Sequence, residues 1–87
     1  MKVKHGYILK TIANQHVVIP TGDEAIHFSG MLTLNESGVK LFEQLQSGTS
    51  QEALVQFLLD HYDIDQKTAE NDVHQFLEKL HSKGILE

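Results

Sequence analysis

The chain has 87 residues, enough for one domain with one core. It contains no cysteine, which excludes disulfides, thiolate metal sites and a cysteine nucleophile. Its formal net charge is −5 at pH 7. Because nucleic-acid binding depends mainly on neutralising phosphates, this balance argues against a nucleic-acid partner. No apolar run is long enough for a signal peptide or a membrane span, so we expect a cytoplasmic protein with no membrane partner.

The N-terminal part of the chain predicts a β-hairpin. Residues 7–12 and 16–19 are rich in β-branched and aromatic side chains, and residues 13–15 between them suit a tight turn. The pattern leaves open which face of the first strand is buried, the one with Tyr7 and Leu9 or the one with Ile8 and Ile12.

A third strand is predicted from Glu24 to Leu34, after a Pro-Thr-Gly-Asp turn at 20–23. Its apolar residues recur with the period of two that is typical of a half-buried strand, and Gly30 marks an expected bulge. Three strands joined by short turns form a meander, so this strand lies at an edge of the sheet. Met31 is then an exposed apolar residue beside that edge.

Two helices follow the strands. The first is predicted from about Glu36 to Gln46, with Asn35 as its N-cap and Gly48 just beyond its end. The second begins near Ser50, where residues 49–52 have the T-x-x-E spacing of a capping box, and it ends near His61 and Tyr62.

A third helix is predicted from about Gln66 to Lys83. Asp65 is its expected N-cap, and Gly84 its stop. Its apolar residues recur at helical spacing and define one face: Ala69, Val73, Phe76, Leu77 and Leu80. We expect Ile85 and Leu86 to fold back onto the core. The chain is therefore predicted to be a single α+β domain, 1–87, with a three-stranded antiparallel meander followed by three helices.

Two clusters of polar residues invite a chemical interpretation. His74, Glu78 and His81 share a helix face, but one polar helix face is a poor metal site, and we expect none. Asp60, Asp63 and Asp65 around His61 lack the glycine and further ligands of a calcium loop, and each has a local duty at a helix end, turn or cap. No nucleophile triad or phosphate loop is present, so we expect neither catalysis nor a cofactor.

The sequence allows two interpretations of the exposed edge of the third strand. An open edge next to an amphipathic helix is typical of proteins that bind an extended peptide by strand addition. Alternatively, the bulge at Gly30 blunts the edge and the third helix buries it. Gly38, in the first turn of a helix, either admits another backbone closely or has a purely local role.

The whole chain resembles the PqqD family, which includes the pyrroloquinoline quinone synthesis chaperone and stand-alone recognition elements for ribosomally made, post-translationally modified peptides. The most specific match to the family is the segment Gly30–Gly38, with Phe42 and Leu45 after it, although Phe42 replaces the tryptophan often found there. Further matches are Gly48–Leu54, Tyr62-Asp63-Ile64 and the closing Gly84-Ile85-Leu86.

The resemblance implies a winged-helix-like fold in which a leader peptide adds as a further strand along the third strand, in a groove beside the third helix. It also implies a maturation enzyme as partner, commonly a radical SAM enzyme. By position, the binding edge comprises Ala25, Ile26, His27, Phe28, Ser29, Gly30, Met31, Leu32 and Thr33. The groove floor is drawn from Val73, Phe76, Leu77 and Leu80, and which of these four face the core stays open.

The sequence therefore favours a non-enzymatic peptide chaperone, with two alternatives. A winged-helix DNA-binding regulator would need a basic third helix, yet that helix carries Glu70, Asp72 and Glu78. A carrier protein would need an attachment serine in an acidic-serine-leucine context, which neither Ser37 nor Ser50 has. Self-association through the open edge is also compatible with the sequence.

Overall fold

The computed structural model describes residues 1–22 and 32–87. Three antiparallel strands precede three helices, which confirms the predicted α+β fold. The elements are β1 (Tyr7–Ile12), β2 (Gln15–Pro20), β3 (Leu32–Leu34), α1 (Glu36–Ser47), α2 (Gln51–His61) and α3 (Gln66–Ser82). The predicted third strand before Leu32, including the Gly30 bulge and Met31, lies outside the described residues.

The hairpin between β1 and β2 is tighter than predicted. Ile12 pairs with Gln15, so the turn consists of Ala13 and Asn14 alone, and the predicted three-residue turn is one residue too long. Ala13 and Asn14 have φ values of 51° and 65°. Positive φ at both central residues is the geometry of a two-residue turn that matches the twist of its strands.

The sheet has the order β1-β2-β3, and one of its faces packs on the core. Tyr7 in β1, Val18 in β2 and Leu32 in β3 are buried on this face, and Leu9 packs against the same cluster. Ile8 and Ile12 point the other way and are exposed. The question that the sequence left open for β1 is thus decided in favour of Tyr7 and Leu9.

A side-chain cap begins each helix. The side chain of Asn35 accepts a hydrogen bond from the Gly38 N–H at 2.8 Å, and that of Asp65 accepts one from Thr68 at 2.8 Å, which confirms both predicted caps. Ser50 caps α2, accepting from the Ala53 N–H at 3.1 Å. The start of α2 was therefore predicted correctly, but a capping box built on Thr49 is wrong.

The two ends of the described chain meet beside the core. The Val3 N–H donates to the Leu45 carbonyl at 2.9 Å, and the Lys4 N–H donates to the Ile85 carbonyl at 2.7 Å. Ile85 is 0 % exposed and Leu86 pairs with Val3 in an antiparallel bridge. The expected return of the C-terminal residues onto the core is confirmed. In the described part of the chain, no helix has the length and hydropathy needed to cross a membrane.

Candidate functional site

A groove of about 410 Å³ opens between the end of β3, the start of α1 and one side of α3. Of the predicted binding residues that the structure describes, Thr33 and Phe76 line it. Its residues come from separate parts of the chain and meet only in the folded structure.

The first wall of the groove comes from β3. Within the described sheet this strand pairs only with β2, in the register Val17 to Thr33, and no described strand pairs with its other side. Thr33 is exposed and lines the groove, whereas its neighbours Leu32 and Leu34 are 2 % and 5 % exposed. Backbone at a free edge has N–H and C=O groups available for a further strand.

The first turn of α1 forms the base of the groove next to this wall. Gly38 is buried, and a Cβ atom there would lie 3.1 Å from Asn35 Oδ1, 3.4 Å from the Leu34 Cβ and 3.5 Å from the ring of Phe76. The Asn35 cap, which also accepts from the Ser37 hydroxyl at 3.0 Å, holds this turn in place. Glycine therefore leaves room for the Asn35 side chain that caps the helix, and the Phe76 ring lies at ordinary contact distance from the same position.

The second wall is a polar and aromatic strip of α3. Asp72, Gln75, Phe76 and Lys79 line the groove at helical spacing, with Phe76 half-buried. The charged members supply one carboxylate and one ammonium group. An extended segment lying here would meet an aromatic ring between groups of opposite charge.

The four predicted floor residues divide between the groove and the core. Phe76 lines the groove, whereas Val73, Leu77 and Leu80 are 0 %, 5 % and 0 % exposed and belong to the core cluster. A helix turns about 100° per residue, so Phe76 and Leu77 cannot share one direction. Placing all four residues on the floor of one groove does not fit this geometry, although the three core residues support the helix that forms its wall.

Sequence reasoning missed several groove residues. Leu58, Tyr62 and Ile64, at and after the end of α2, line one end of the groove, but they were interpreted only as core and connector positions. Tyr62 and Ile64 are half-buried, so each also has accessible surface. Asp72 and Lys79 were visible as the neighbours of Phe76 four residues before and three residues after it, a spacing that places them on its helix face.

The clusters considered for metal or catalysis are explained by local contacts. In residues 1–22 and 32–87, no group of three His, Cys, Asp or Glu side chains is arranged to hold a metal ion. His74 and Glu78 lie 3.5 Å apart on an exposed helix face. Asp60 accepts a hydrogen bond from Gln56, and side-chain and backbone hydrogen bonds from Thr68 lower the pKa of the Asp65 carboxyl.

The fold and groove define a small α+β domain in which an edge strand of the described sheet lies beside a helix. The sequence profile of the family described as coenzyme PQQ synthesis protein D (PqqD) matches residues 15–86. The chain therefore belongs to the PqqD family. Among curated proteins, no sequence matches it.

Two solved structures share the fold over nearly their whole length. TbiB1 in complex with the TbiA(beta) leader peptide has a TM-score of 0.78 at 24% identity, with 100% of this chain and 95% of that chain covered. A lasso peptide synthetase B1 complexed with its leader peptide has a TM-score of 0.74 at 19% identity, with 97% and 93% covered. At these identities the likeness establishes the fold.

Proposed function

We propose that this chain is a non-enzymatic peptide chaperone. It binds the leader segment of a ribosomally made precursor peptide by strand addition to β3 and delivers it to a maturation enzyme, for which the family resemblance favours a radical SAM enzyme. The observation that carries the proposal is the groove beside the edge of β3 that no described strand pairs with. Membership of the PqqD family supports the same role.

Strand addition divides the work of binding between backbone and side chains. Main-chain hydrogen bonds to a sheet edge give affinity for any extended segment, and pockets for alternate side chains give selectivity. Here Thr33 belongs to the edge, while Phe76 and Tyr62 offer partly exposed aromatic surface in the groove. The leader therefore pairs its backbone with β3 and places an apolar side chain against these rings.

The two structural neighbours support this interpretation, since both are complexes with leader peptides and both cover this chain almost completely. The predicted edge from Ala25 to Met31 lies outside the described residues and stays part of the proposal. Val73, Leu77 and Leu80 contribute by packing under α3 and make no contact with the peptide. Nothing in the groove requires a metal or cofactor for binding of this kind.

The proposal is tested by removing the aromatic surface from the groove. The probe is a synthetic leader segment of a short precursor peptide chosen from the reading frames next to that of this chain, and its affinity is measured by titration calorimetry. We expect Phe76→Ala to weaken binding about tenfold or more, because truncating a central aromatic residue in an interface costs more than 1 kcal/mol.

Phe57→Ala is the matched control. Phe57 is also a half-buried phenylalanine, but it stacks on His61 and lies outside the groove, so the variant should bind the leader as the unmodified chain does. Equal affinity in the Phe76→Ala and Phe57→Ala variants, both folded by circular dichroism, would exclude the groove as the leader site.

A further inference from the structure

The outward face of the β1–β2 hairpin carries apolar side chains that the core does not use. Ile8 and Ile12 are 40% and 48% exposed, and together with Met1 they are the exposed large hydrophobic residues of the described chain. Ile8, Lys10 and Ile12 lie on the same side of β1. On the same face of β2, Ile19 pairs with Ile8 and is half-buried, whereas Val17 pairs with Lys10 and is 2% exposed. We call Ile8, Lys10, Ile12 and Ile19 the hairpin face.

The charge of this part of the chain is opposite to that of the rest. Residues 1–22 contain three lysines, Lys2, Lys4 and Lys10, and no acidic residue, whereas the remaining sequence has four lysines and all 12 aspartates and glutamates. The hairpin region is therefore basic in a protein whose net charge is −5. Such asymmetry favours a partner whose facing surface is acidic.

A recess adjoins the hairpin face and extends its basic character. Ile8 lines this recess of about 390 Å³ together with Lys2, Lys4 and His5, and Glu87 is its acidic residue. Apolar side chains therefore lie beside lysines, with Lys10 between Ile8 and Ile12 and with Lys2 and Lys4 in the recess. Protein interfaces combine apolar contacts with polar, exposed groups in this way. The recess can receive a carboxylate side chain from the partner.

The hairpin face and the groove can be occupied at the same time. β1 and β3 lie at opposite edges of the described sheet, with β2 between them. The hairpin face is turned away from the helices that form the groove. A peptide on β3 therefore leaves the hairpin face free for a second, larger partner.

We propose that the hairpin face is the docking surface for the maturation enzyme, which meets it with an apolar patch surrounded by carboxylates. This inference rests on the proposed function, because it names the surface through which the bound leader is delivered. A second copy of this chain is a poorer occupant, since two lysine-bearing hairpin faces repel each other. The net charge of −5 disfavours an anionic membrane or a nucleic acid.

The test measures two affinities for each variant. A maturation enzyme chosen from the reading frames next to that of this chain is purified and titrated against the chain saturated with leader, and leader binding is measured separately. In the double variant Ile8→Thr/Ile12→Thr, we expect enzyme affinity to fall about tenfold or more, as for buried apolar contacts at an interface, and leader affinity to stay unchanged. Threonine keeps the β-branched shape that suits the strand.

Charge and groove variants complete the experiment. Lys10→Glu should weaken enzyme binding and reduce its dependence on salt, while Phe76→Ala should weaken leader binding and leave enzyme binding to the peptide-free chain unchanged.

The inference is overturned if the hairpin variants bind the enzyme as tightly as the unmodified chain does, or if the unmodified chain does not bind the enzyme at all. A dimer that the double variant abolishes in sedimentation experiments would also overturn it, in favour of a second copy. The proposed function is contradicted by a different result, namely that the unmodified chain does not bind the leader.

Discussion

Gly38 leaves room for the Asn35 cap at the base of the groove. Glycine in the first turn of α1 does not favour the helix, since alanine is about 1 kcal/mol more favourable than glycine in a helix interior. A Cβ atom would meet Asn35 Oδ1 at 3.1 Å and the Phe76 ring at 3.5 Å. The nearest atom belongs to the cap of the same helix and no backbone atom of another described element lies within this range, which favours the local interpretation of this glycine.

Gly38→Ala should therefore affect binding more than stability. The helix gains up to about 1 kcal/mol from alanine, and displacement of the Asn35 side chain costs about the same, so the melting temperature should change little. The added methyl group shifts the cap or Phe76 and narrows the groove, so leader affinity should fall several-fold. Calorimetry and thermal melts of the same samples measure both quantities.

Asn35→Ala serves as the comparison for Gly38→Ala. It removes the cap without adding a group at position 38, and it should lower the free energy of unfolding by about 1 kcal/mol. If Gly38→Ala bound the leader as tightly as the unmodified chain, the space at Gly38 would have no role in the groove.

At the scale of the elements, the N-cap of α3 makes its start sensitive to acid. Side-chain and backbone hydrogen bonds from Thr68 lower the pKa of Asp65 from its ordinary value of 3.8. Since the pKa is lowered in the folded state, the ionised cap stabilises the fold above pH 3.8, and this contribution is lost as the pH falls through the folded-state pKa. Asp65→Asn retains a capping oxygen but cannot titrate.

The urea stability of the unmodified chain and of Asp65→Asn should therefore converge as the pH falls from 6 towards 2. Taking the difference between the two proteins removes the effect of the other carboxylates. A difference that stayed constant across this pH range would mean that the charge of Asp65 contributes nothing to the cap.

The helices could be predicted from the sequence because their boundaries depend on single residues. Asn35 and Asp65 are good caps wherever a helix follows them, and the positive φ of Gly48 and Gly84, at 96° and 70°, agrees with their predicted role at helix ends. Ser50 and Thr49 are both acceptable caps, and the sequence does not distinguish between them. The capping box predicted on Thr49 is therefore wrong, and Ser50 is the cap. The turn at residues 13–15 was predicted one residue too long, because alanine rarely adopts the positive φ that a two-residue turn needs here.

The groove was harder to predict than the elements. The sequence indicated the edge strand and the final helix as its walls, and both line it. Tyr62 and Ile64 were not assigned to it, because only tertiary packing brings the end of α2 to this position. Periodicity identified the apolar stripe of α3 but did not separate Phe76 from the three core residues around it.

At the scale of the whole molecule, the two ends of the described chain stabilise the domain together. The segment 1–4 bonds to the end of α1 through Val3 and to the C-terminal residues through Lys4, and the Glu87 N–H donates to the Lys2 carbonyl at 2.9 Å. The side chain of Ile85 is fully buried in the same region. These hydrogen bonds fix the N-terminal residues, which precede the hairpin in the chain, to the end of α1 and to the C-terminal residues.

Ile85→Ala tests this connection. Removing a fully buried isoleucine leaves a cavity and costs about 2–5 kcal/mol. A small domain has a total stability of about 5–15 kcal/mol, so the urea midpoint should fall markedly with little change in the slope of the transition. Ile12→Ala is the matched control, since Ile12 is 48% exposed and the change there should cost about 1 kcal/mol or less. Similar midpoints for the two variants would mean that the C-terminal residues contribute little to the core and that the chain ends are not fixed by packing.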